Sequence, residues 1–368
     1  LLHGDYTWKF GSSWLKFYSD YNKFSSTFFR TFDQLKFDNN GAGNYRIRNG
    51  LRYSYDFQSI KKLSLLTGIE YENRHIGNYK LFTATNPKTS LLTVIEEDST
   101  DEKSAYLQLD YSIHQWRFLA GARFINNQKA GEKTTPRASI IYNIDDKQSL
   151  KLLYAVGYTS PNFIFTSINL PGTIQGQTDN KAETIATIDL AYSYITPTLL
   201  FIVNAYRFNG DDFLSRSPNL NGNGDIYSNA EGFSRRGIEL DFKLKFGKWS
   251  LLANASYNHE GNKIINDDRA AIAVPRTAFN FGGTYNINEN HLLGISIHSV
   301  SQRSTTDSYL VANLNYQYRY KRFEAYFTLR NVTNEDPHNP DAAAGLPALS
   351  HPNDDPDANL LFGIKYQY

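Results

Sequence analysis

The sequence predicts an all-β fold, a transmembrane antiparallel β-barrel with about 17 strands in view. Three observations predict it. Apolar and polar residues alternate with period two almost to the last residue, which is the signature of strands with one greasy and one wet face. Tyr and Phe are abundant, at 26 and 24 of 368 residues against 4 Trp, and both favour strands and membrane-interface girdles. Connections alternate between short and long, as they do when turns collect on one rim of a barrel and loops on the other.

The elements follow in order. The first 42 residues hold about two strands, near Tyr6–Phe10 and Trp14–Phe29, and about 15 more run from Asn44 to the end. Alternation recurs near Tyr53, Leu65, Leu107, Leu119, Ile140, Leu152, Leu190, Leu251 and Ile295. In GIELDFKLKF, Ile238, Leu240, Phe242, Leu244 and Phe246 share one face and Glu239, Asp241, Lys243 and Lys245 the other. FNFGGTY and LVANLNYQYRY read the same way, from Phe279 and from Leu310. In the final NLLFGIKYQY, Leu360, Phe362, Ile364, Tyr366 and Tyr368 oppose Asn359, Leu361, Gly363, Lys365 and Gln367.

Short connections fall at 56–62, 114–115, 145–148, 196–198, 247–248, 288–290 and 321–322. Long ones fall at 76–102, 127–134, 161–182, 216–229, 263–273, 302–307 and 336–357. The back faces carry rows of carboxylates, lysines, arginines and amides, so that side is wet, and strands of roughly 10 to 15 residues suffice to cross a bilayer at a tilt. Only a closed sheet satisfies every backbone group in lipid. The mean hydropathy of −0.50 is compatible with this, because a barrel wall needs only every second residue apolar. LLFIV (199–203) is far too short for a membrane helix, and negligible helix is expected. A start on LLHGDYTWKF, with no Met, and an odd strand total predict a mature or truncated piece whose first wall strands lie elsewhere.

A net charge of +1 argues against a nucleic-acid partner. With no Cys there is neither a disulfide framework nor a thiolate metal site. No Gly-rich phosphate loop, G-x-S-x-G or H-E-x-x-H occurs, and the eight His show no ligand spacing, so neither an enzyme nor a resident metal is expected. Asp354, Asp355 and Asp357, the acidic run 96–102, and Asp211-Asp212 read as solvated loop carboxylates that meet lipopolysaccharide-bridging cations only loosely, with binding of a divalent ion such as Ca²⁺ as the alternative.

Several segments, in order, resemble the TonB-dependent outer-membrane receptors. TPRASIIYNIDDKQSLKLLYAVGYTSPNFIF (135–165) resembles the strand pair leading to the Phe-Arg-Ala-Pro motif, and NKAETIATIDLAYSY (180–194) the strand after it. NAEGFSRRGIELDFKLKF (229–246) resembles the Ser-Arg-Gly-Val-Glu-Leu motif, VPRTAFNFGGTYNI (274–287) the proline-arginine strand start, and LRNVTNEDPH (329–338) the Asn-Leu-Thr-Asp motif. The ending FGIKYQY is similar to the C-terminal signal read by the barrel-assembly machinery, with Gly363, Tyr366 and Tyr368 as its residues. Thr159-Ser160 departs from the usual Arg-Ala, 179–182 blurs the usual Leu-Lys-Pro, and Leu361 replaces a polar residue.

The resemblance covers roughly 45–368 and implies that residues 1–368 are the C-terminal portion of a barrel of about 22 strands around a plug that lies N-terminal to this sequence. It implies an integral protein of the bacterial outer membrane that takes up a scarce nutrient and is energised through the TonB complex. A ferric siderophore leads by family frequency, with cobalamin or a glycan fragment open and iron present only as cargo. Lipopolysaccharide and the assembly machinery are the further partners implied.

For ligand contact the resemblance and the loop chemistry point to Asn162, Phe163, Phe165, Tyr227, Arg235 and Arg236, with His298 on the polar face of its strand. The plainer reading makes Arg235, Arg236 and His298 wall residues. His338 and His351 flank the last long loop, but 161–182 lacks the His and Asn-Pro-Asn-Leu that haem receptors carry there. The rival readings are a passive porin and a barrel-embedded enzyme or adhesin.

Overall fold

The computed structural model describes residues 2–8, 11–23, 26–30, 33–37, 45–60, 62–83, 86–222, 224–230, 232–260, 274–303, 307–337 and 357–366. The chain opens with β1 (Leu2–Trp8) and β2 (Gly11–Lys23), then a hairpin of β3 (Ser26–Arg30) and β4 (Asp33–Phe37). Next come β5 (Tyr45–Ile60), β6 (Leu63–Ile76), and a second hairpin of β7 (Tyr79–Thr83) and β8 (Asn86–Ile95). β9 (Asp98–Ile113), β10 (Trp116–Asn127), β11 (Gly131–Asn143) and β12 (Gln148–Thr159) follow. A single helical turn α1 (Phe163–Ser167) leads to the short β13 (Asn169–Leu170) and β14 (Ile174–Gln175). β15 (Glu183–Ile195) and β16 (Leu199–Asp211) precede a third hairpin, β17 (Leu214–Pro218) and β18 (Asp225–Asn229). The chain continues with β19 (Phe233–Phe246), β20 (Trp249–Glu260), β21 (Thr277–Asn286) and β22 (His291–Val300). It ends with β23 (Tyr309–Tyr320), β24 (Phe323–Arg330) and β25 (Asn359–Tyr366).

Seventeen of these strands form one sheet, matching the number read from the alternation. Each wall strand pairs antiparallel with the next one along the chain, from β1–β2 through β2–β5 and β9–β10 to β24–β25. Loop closure between such neighbours is short, and an antiparallel ladder satisfies backbone groups without a crossover.

The pleat sorts the side chains as the alternation predicts. Leu360, Phe362, Ile364 and Tyr366 stand exposed on one face of β25, as do Leu107, Leu109 and Tyr111 on β9 and Leu150, Leu152 and Tyr154 on β12. No second layer of the described chain packs on that face. The cluster of buried apolar residues lies elsewhere, among the long connections: Ile76, Leu81, Val94, Ile95 and Phe163. Among the described residues no helix is long and apolar enough to cross a membrane.

The long connections differ from plain loops in three places. β3, β4, β7 and β8 make one small sheet, and β13, β14, β18 and β17 make another, including a parallel β14–β18 pairing. The span 127–134, expected as a long loop, is a tight turn. The Asn127 side chain accepts from the amides of Lys129 and Ala130, both at 3.0 Å, and Gly131 takes φ +77°. An Asx turn followed by a left-handed glycine closes the chain within three residues. The two-residue turn Gly247-Lys248 uses the same left-handed freedom, with Gly247 at φ +55°.

A repeated cross-strand device sits on the inner face. Tyr18 lies opposite Gly50, Tyr106 opposite Gly68, Tyr206 opposite Gly237 and Tyr326 opposite Gly363. A Cβ built on any of these glycines would meet the facing tyrosine ring. The ring covers the bare backbone, which pins the register of each pair. Gly363, singled out for assembly, therefore also seats Tyr326.

At Gly237 the added Cβ would also meet the Tyr257 carbonyl, whereas at Gly363 the nearest atoms all belong to the movable Tyr326 ring. Gly237→Ala should therefore destabilise the wall more than Gly363→Ala, by about 1–3 kcal/mol. Urea unfolding in detergent, followed by the mobility shift of the folded barrel, checks the order.

Candidate functional site

Three of the long connections fold into one cap on the long-loop rim. Asn162 caps α1, accepting from the amides of Ile164 at 2.9 Å and Phe165 at 3.4 Å. This satisfies helix-end donors that otherwise lack partners. Phe163, 7% exposed, fills the apolar cluster with Ile76, Leu81, Val94 and Ile95. Phe165 meets the Tyr227 ring edge-on at 4.9 Å. Asn180, 2% exposed, ties these two segments by donating to the carbonyls of Phe165 and Tyr227, both at 3.0 Å. Asn229 accepts from the Lys181 amide at 2.7 Å and donates to the Asp212 carbonyl at 2.6 Å.

The cap is fastened to the wall at Asp98. That carboxylate pairs with Lys129, accepts from the Ser167 hydroxyl at 2.7 Å, and Lys129 also lies 5.3 Å from the centre of the Phe163 ring. Asp98 sits above the exposed apolar band, nine positions before Leu107. Burial pushes its carboxyl up, but the hydrogen bonds from Lys129 and Ser167 outweigh that and hold it below the ordinary carboxylate range.

The acidic run 96–102 does not converge on a cation. Alternation sends Asp98 and Glu102 to one face of β9 and Asp101 to the other. Glu97 faces His75 at 3.4 Å, Asp101 accepts from Asn73 at 2.8 Å, and Glu102 accepts from Asn127 at 3.0 Å. Asp354, Asp355, His338, His351 and Tyr368 lie outside the described residues.

Below the cap the inner wall carries an ion-pair ladder. Glu70 meets Arg52 at 2.5 Å and Arg123 at 2.7 Å. Glu72 meets Arg74 at 2.5 Å, accepts from the Tyr18 hydroxyl at 2.5 Å, and lies 4.0 Å from Arg48, which also binds Asp20 at 2.5 Å. Arg74 lies 3.7 Å from Glu102 and donates to the Ser160 hydroxyl at 2.8 Å. Ser160 stands at the departure from the Arg-Ala pattern, so an arginine from another strand occupies that neighbourhood. Four arginines balance four carboxylates here, and such half-buried pairs align strands more than they stabilise them.

Arginine also meets aromatic rings on the lumen face near the long-loop rim, in three places. Arg48 lies 5.4 Å from the Tyr18 ring centre, Arg235 lies 5.9 Å from that of Phe208, and Arg303 lies 5.8 Å from that of Tyr309. Around Arg235 the rings of Phe208, Phe233 and Phe213 pack in series, 5.6 and 4.6 Å apart.

The sequence from 1 to 332 matches the family model described as TonB dependent receptor-like, beta-barrel. The chain belongs to the TonB-dependent receptors. These are outer-membrane transport proteins rather than enzymes. No curated protein matches the chain in sequence. Among solved structures it is similar to the siderophore receptor PirA from Acinetobacter baumannii, at 15% identity and TM-score 0.70, over all of this chain and 61% of that one. It is similar to the copper transporter OprC, at 15% identity and TM-score 0.71, over all of this chain and 64% of that one. It is also similar to the FrpB iron transporter from Neisseria meningitidis (F3-3 variant), at 12% identity and TM-score 0.64, over 97% of this chain and 63% of that one. The chain thus spans about three-fifths of the length of these structures, and at such identities the likeness shows the fold.

In this receptor family the long loops are extracellular and the short turns periplasmic. The extracellular cap brings Asn162, Phe163, Phe165 and Tyr227 together, but Asn162 is engaged as a helix cap and Phe163 as core. Phe165 and Tyr227 are half-buried against each other. Arg235 and Arg236 are consecutive on β19 and so point to opposite faces. Only Arg235 faces the lumen, while Arg236 shares the outer face with exposed Ile238. His298 faces the lumen, 2.5 Å from the Asn280 side chain and 3.3 Å from the Tyr309 hydroxyl, so both ring nitrogens are engaged.

Sequence reading missed Phe208, Arg48, Arg303, Glu70 and Glu72, and took Glu102 only as part of the acidic run 96–102. Only the strand register shows which charges meet, although parity alone places each on the lumen face.

Asn180→Ala should leave two buried carbonyls unpaired and loosen the cap by roughly 1–3 kcal/mol. Hydrogen exchange should rise in 161–182 and 212–230 and stay unchanged in β21–β24. The Asp98 latch has a lowered folded-state value. Its contribution is therefore fully present above about pH 4 and is lost as pH falls through that lower value. Protection of α1, taken relative to the intrinsic exchange rate at each pH, should be flat from neutral pH down to about 5 and fall only in stronger acid; Asp98→Asn should show the lower protection throughout.

Proposed function

We propose that this receptor is an active importer of the bacterial outer membrane. It takes up a ferric siderophore at its extracellular mouth and is energised through the TonB complex. The observation that carries this reading is the arginine–aromatic pairing on the upper lumen face, Arg235 with Phe208 first, with Arg48 over Tyr18 at the edge of the ion-pair ladder and Arg303 buried behind Tyr309. A guanidinium beside a ring suits a planar, anionic, aryl-bearing chelate, because the ring stacks on the ligand's π-face while the cation meets its oxygens. The iron is cargo held by its chelator and asks for no protein ligand. Siderophore and iron transport named for the similar structures lends the same support.

Energy would enter through the plug and TonB-contacting segment that such receptors carry ahead of the barrel. The outer membrane has no nucleotide pool, so coupling to an inner-membrane complex fits a wall built only of strands. Lipopolysaccharide would surround the extracellular half, and the assembly machinery would read the C-terminal strand with Gly363 and Tyr366.

Uptake of a radiolabelled ferric catecholate by iron-starved cells tests the reading. Loss of TonB should abolish uptake, and Arg235→Ala with Arg48→Ala should lower it by roughly tenfold or more while the barrel still assembles. Uptake independent of TonB, with large steady single-channel conductance, would instead favour a passive porin.

A further inference from the structure

The periplasmic turn between β23 and β24 carries a concentration of charge outside everything described so far. Lys321 and Arg322 form the turn itself. With Arg319, Phe323, Glu324 and Lys365 they line a pocket of about 430 Å³. Four cations against one carboxylate leave a local charge of +3, in a chain whose total is +1. Glu324 is taken up by Arg319 at 3.3 Å. Among the described residues Lys321, Arg322 and Lys365 form no ion pair, and with Glu324, the cross-strand partner of Lys365, bridged to Arg319 the pocket keeps its excess of three positive charges.

The surroundings say what kind of anion belongs there. Tyr320, Phe323 and Tyr366 are exposed on the outer face, at the lower edge of the lipid-facing band. The Lys321 ammonium lies 5.2 Å from the centre of the Tyr320 ring, on that same outer side. The pocket therefore wraps the rim from lipid side to lumen side, at the depth where headgroups lie. Lys and Arg stems run along apolar surface there with their charges at the interface.

We propose that this pocket binds the phosphate of an anionic phospholipid of the periplasmic leaflet, with its acyl chains along Tyr320, Phe323 and Tyr366. The phosphodiester supplies the missing negative charge and oxygens for charge-assisted bonds from Arg322, Lys365 and Lys321. Phosphatidylglycerol has no ammonium to be repelled, whereas phosphatidylcholine does. The site requires only the membership in the barrel family and is independent of the cargo.

The test is native mass spectrometry of the receptor purified from outer membranes, with short-chain phosphatidylglycerol, the matching phosphatidylcholine, or inorganic phosphate added. Phosphatidylglycerol should be retained and phosphatidylcholine should not. At roughly fivefold per cation, Arg322→Gln with Lys365→Gln should weaken retention roughly 25-fold. Lys248→Gln, at the β19–β20 turn on the same rim, where the amine donates to the Ile287 carbonyl at 2.5 Å, should leave it unchanged. Should the double variant fail to assemble, Lys321→Gln alone at the exposed turn should still cost roughly fivefold. Equal retention by the variants, equal retention of phosphatidylcholine, or displacement of the lipid by inorganic phosphate would overturn the assignment.

Discussion

Backbone hydrogen bonding in a medium without water is the constraint on which this structure depends. Every amide and carbonyl facing lipid must be paired inside the protein, since each one left open costs several kcal/mol. The antiparallel meander meets this along the wall by giving consecutive strands one another as partners, from β1–β2 through to β24–β25, while β1 and β25 each have a single partner among the described residues. Side chains are then free to be sorted by the pleat alone. That is why exposed Leu107, Leu109 and Tyr111 alternate with inward Gln108 and Asp110 without any apolar layer behind them. A soluble sheet would bury the first set; here the bilayer takes the place of the second layer.

The same pleat governs what the lumen can recognise. One residue of each consecutive pair reaches the interior, so Arg235 faces the lumen and Arg236 does not. Register then decides which inward groups meet. Arg52 faces Glu70 across β5–β6, and Arg123 reaches Glu70 across β9, so arginines distant in sequence share one carboxylate. The tyrosine-over-glycine pairs lock that register. They act on the inner face, where a slip of one residue would send each charged row into lipid.

The extracellular cap follows different rules. Beyond the bilayer water is available, so the connections can leave the ladder, and they acquire a small core of their own. Phe163 and Ile76 come from connections far apart in sequence, as do Asn180 and Tyr227. The polar fastenings at Asp98 and Asn229 then orient α1 and the β17–β18 hairpin over the wall. The residues first suspected of meeting a ligand in this region are largely occupied in holding the cap together. Of the arginines beside aromatic rings beneath it, Arg48 is already paired with Asp20 and Glu72 and Arg303 is buried at 8% exposure, so Arg235 beside Phe208 is the one outside the ladder that is not buried.

Alternation in GIELDFKLKF and NLLFGIKYQY was enough to read the strand class, the sidedness of the wall and the number of strands, because a period of two in a single chain already separates two solvents. Motif order was enough to read the family. Neither could show that 127–134 closes as an Asx turn, since that depends on where one side-chain amide points. Nor could they show that Asn162 caps a helix, that Phe163 is core, or that Arg48, Glu72 and Tyr18 converge from three strands. Local pattern is a property of neighbours in sequence and survives without coordinates. The identity of partners across strands depends on register and loop closure, and those are settled only when the whole sheet is assembled.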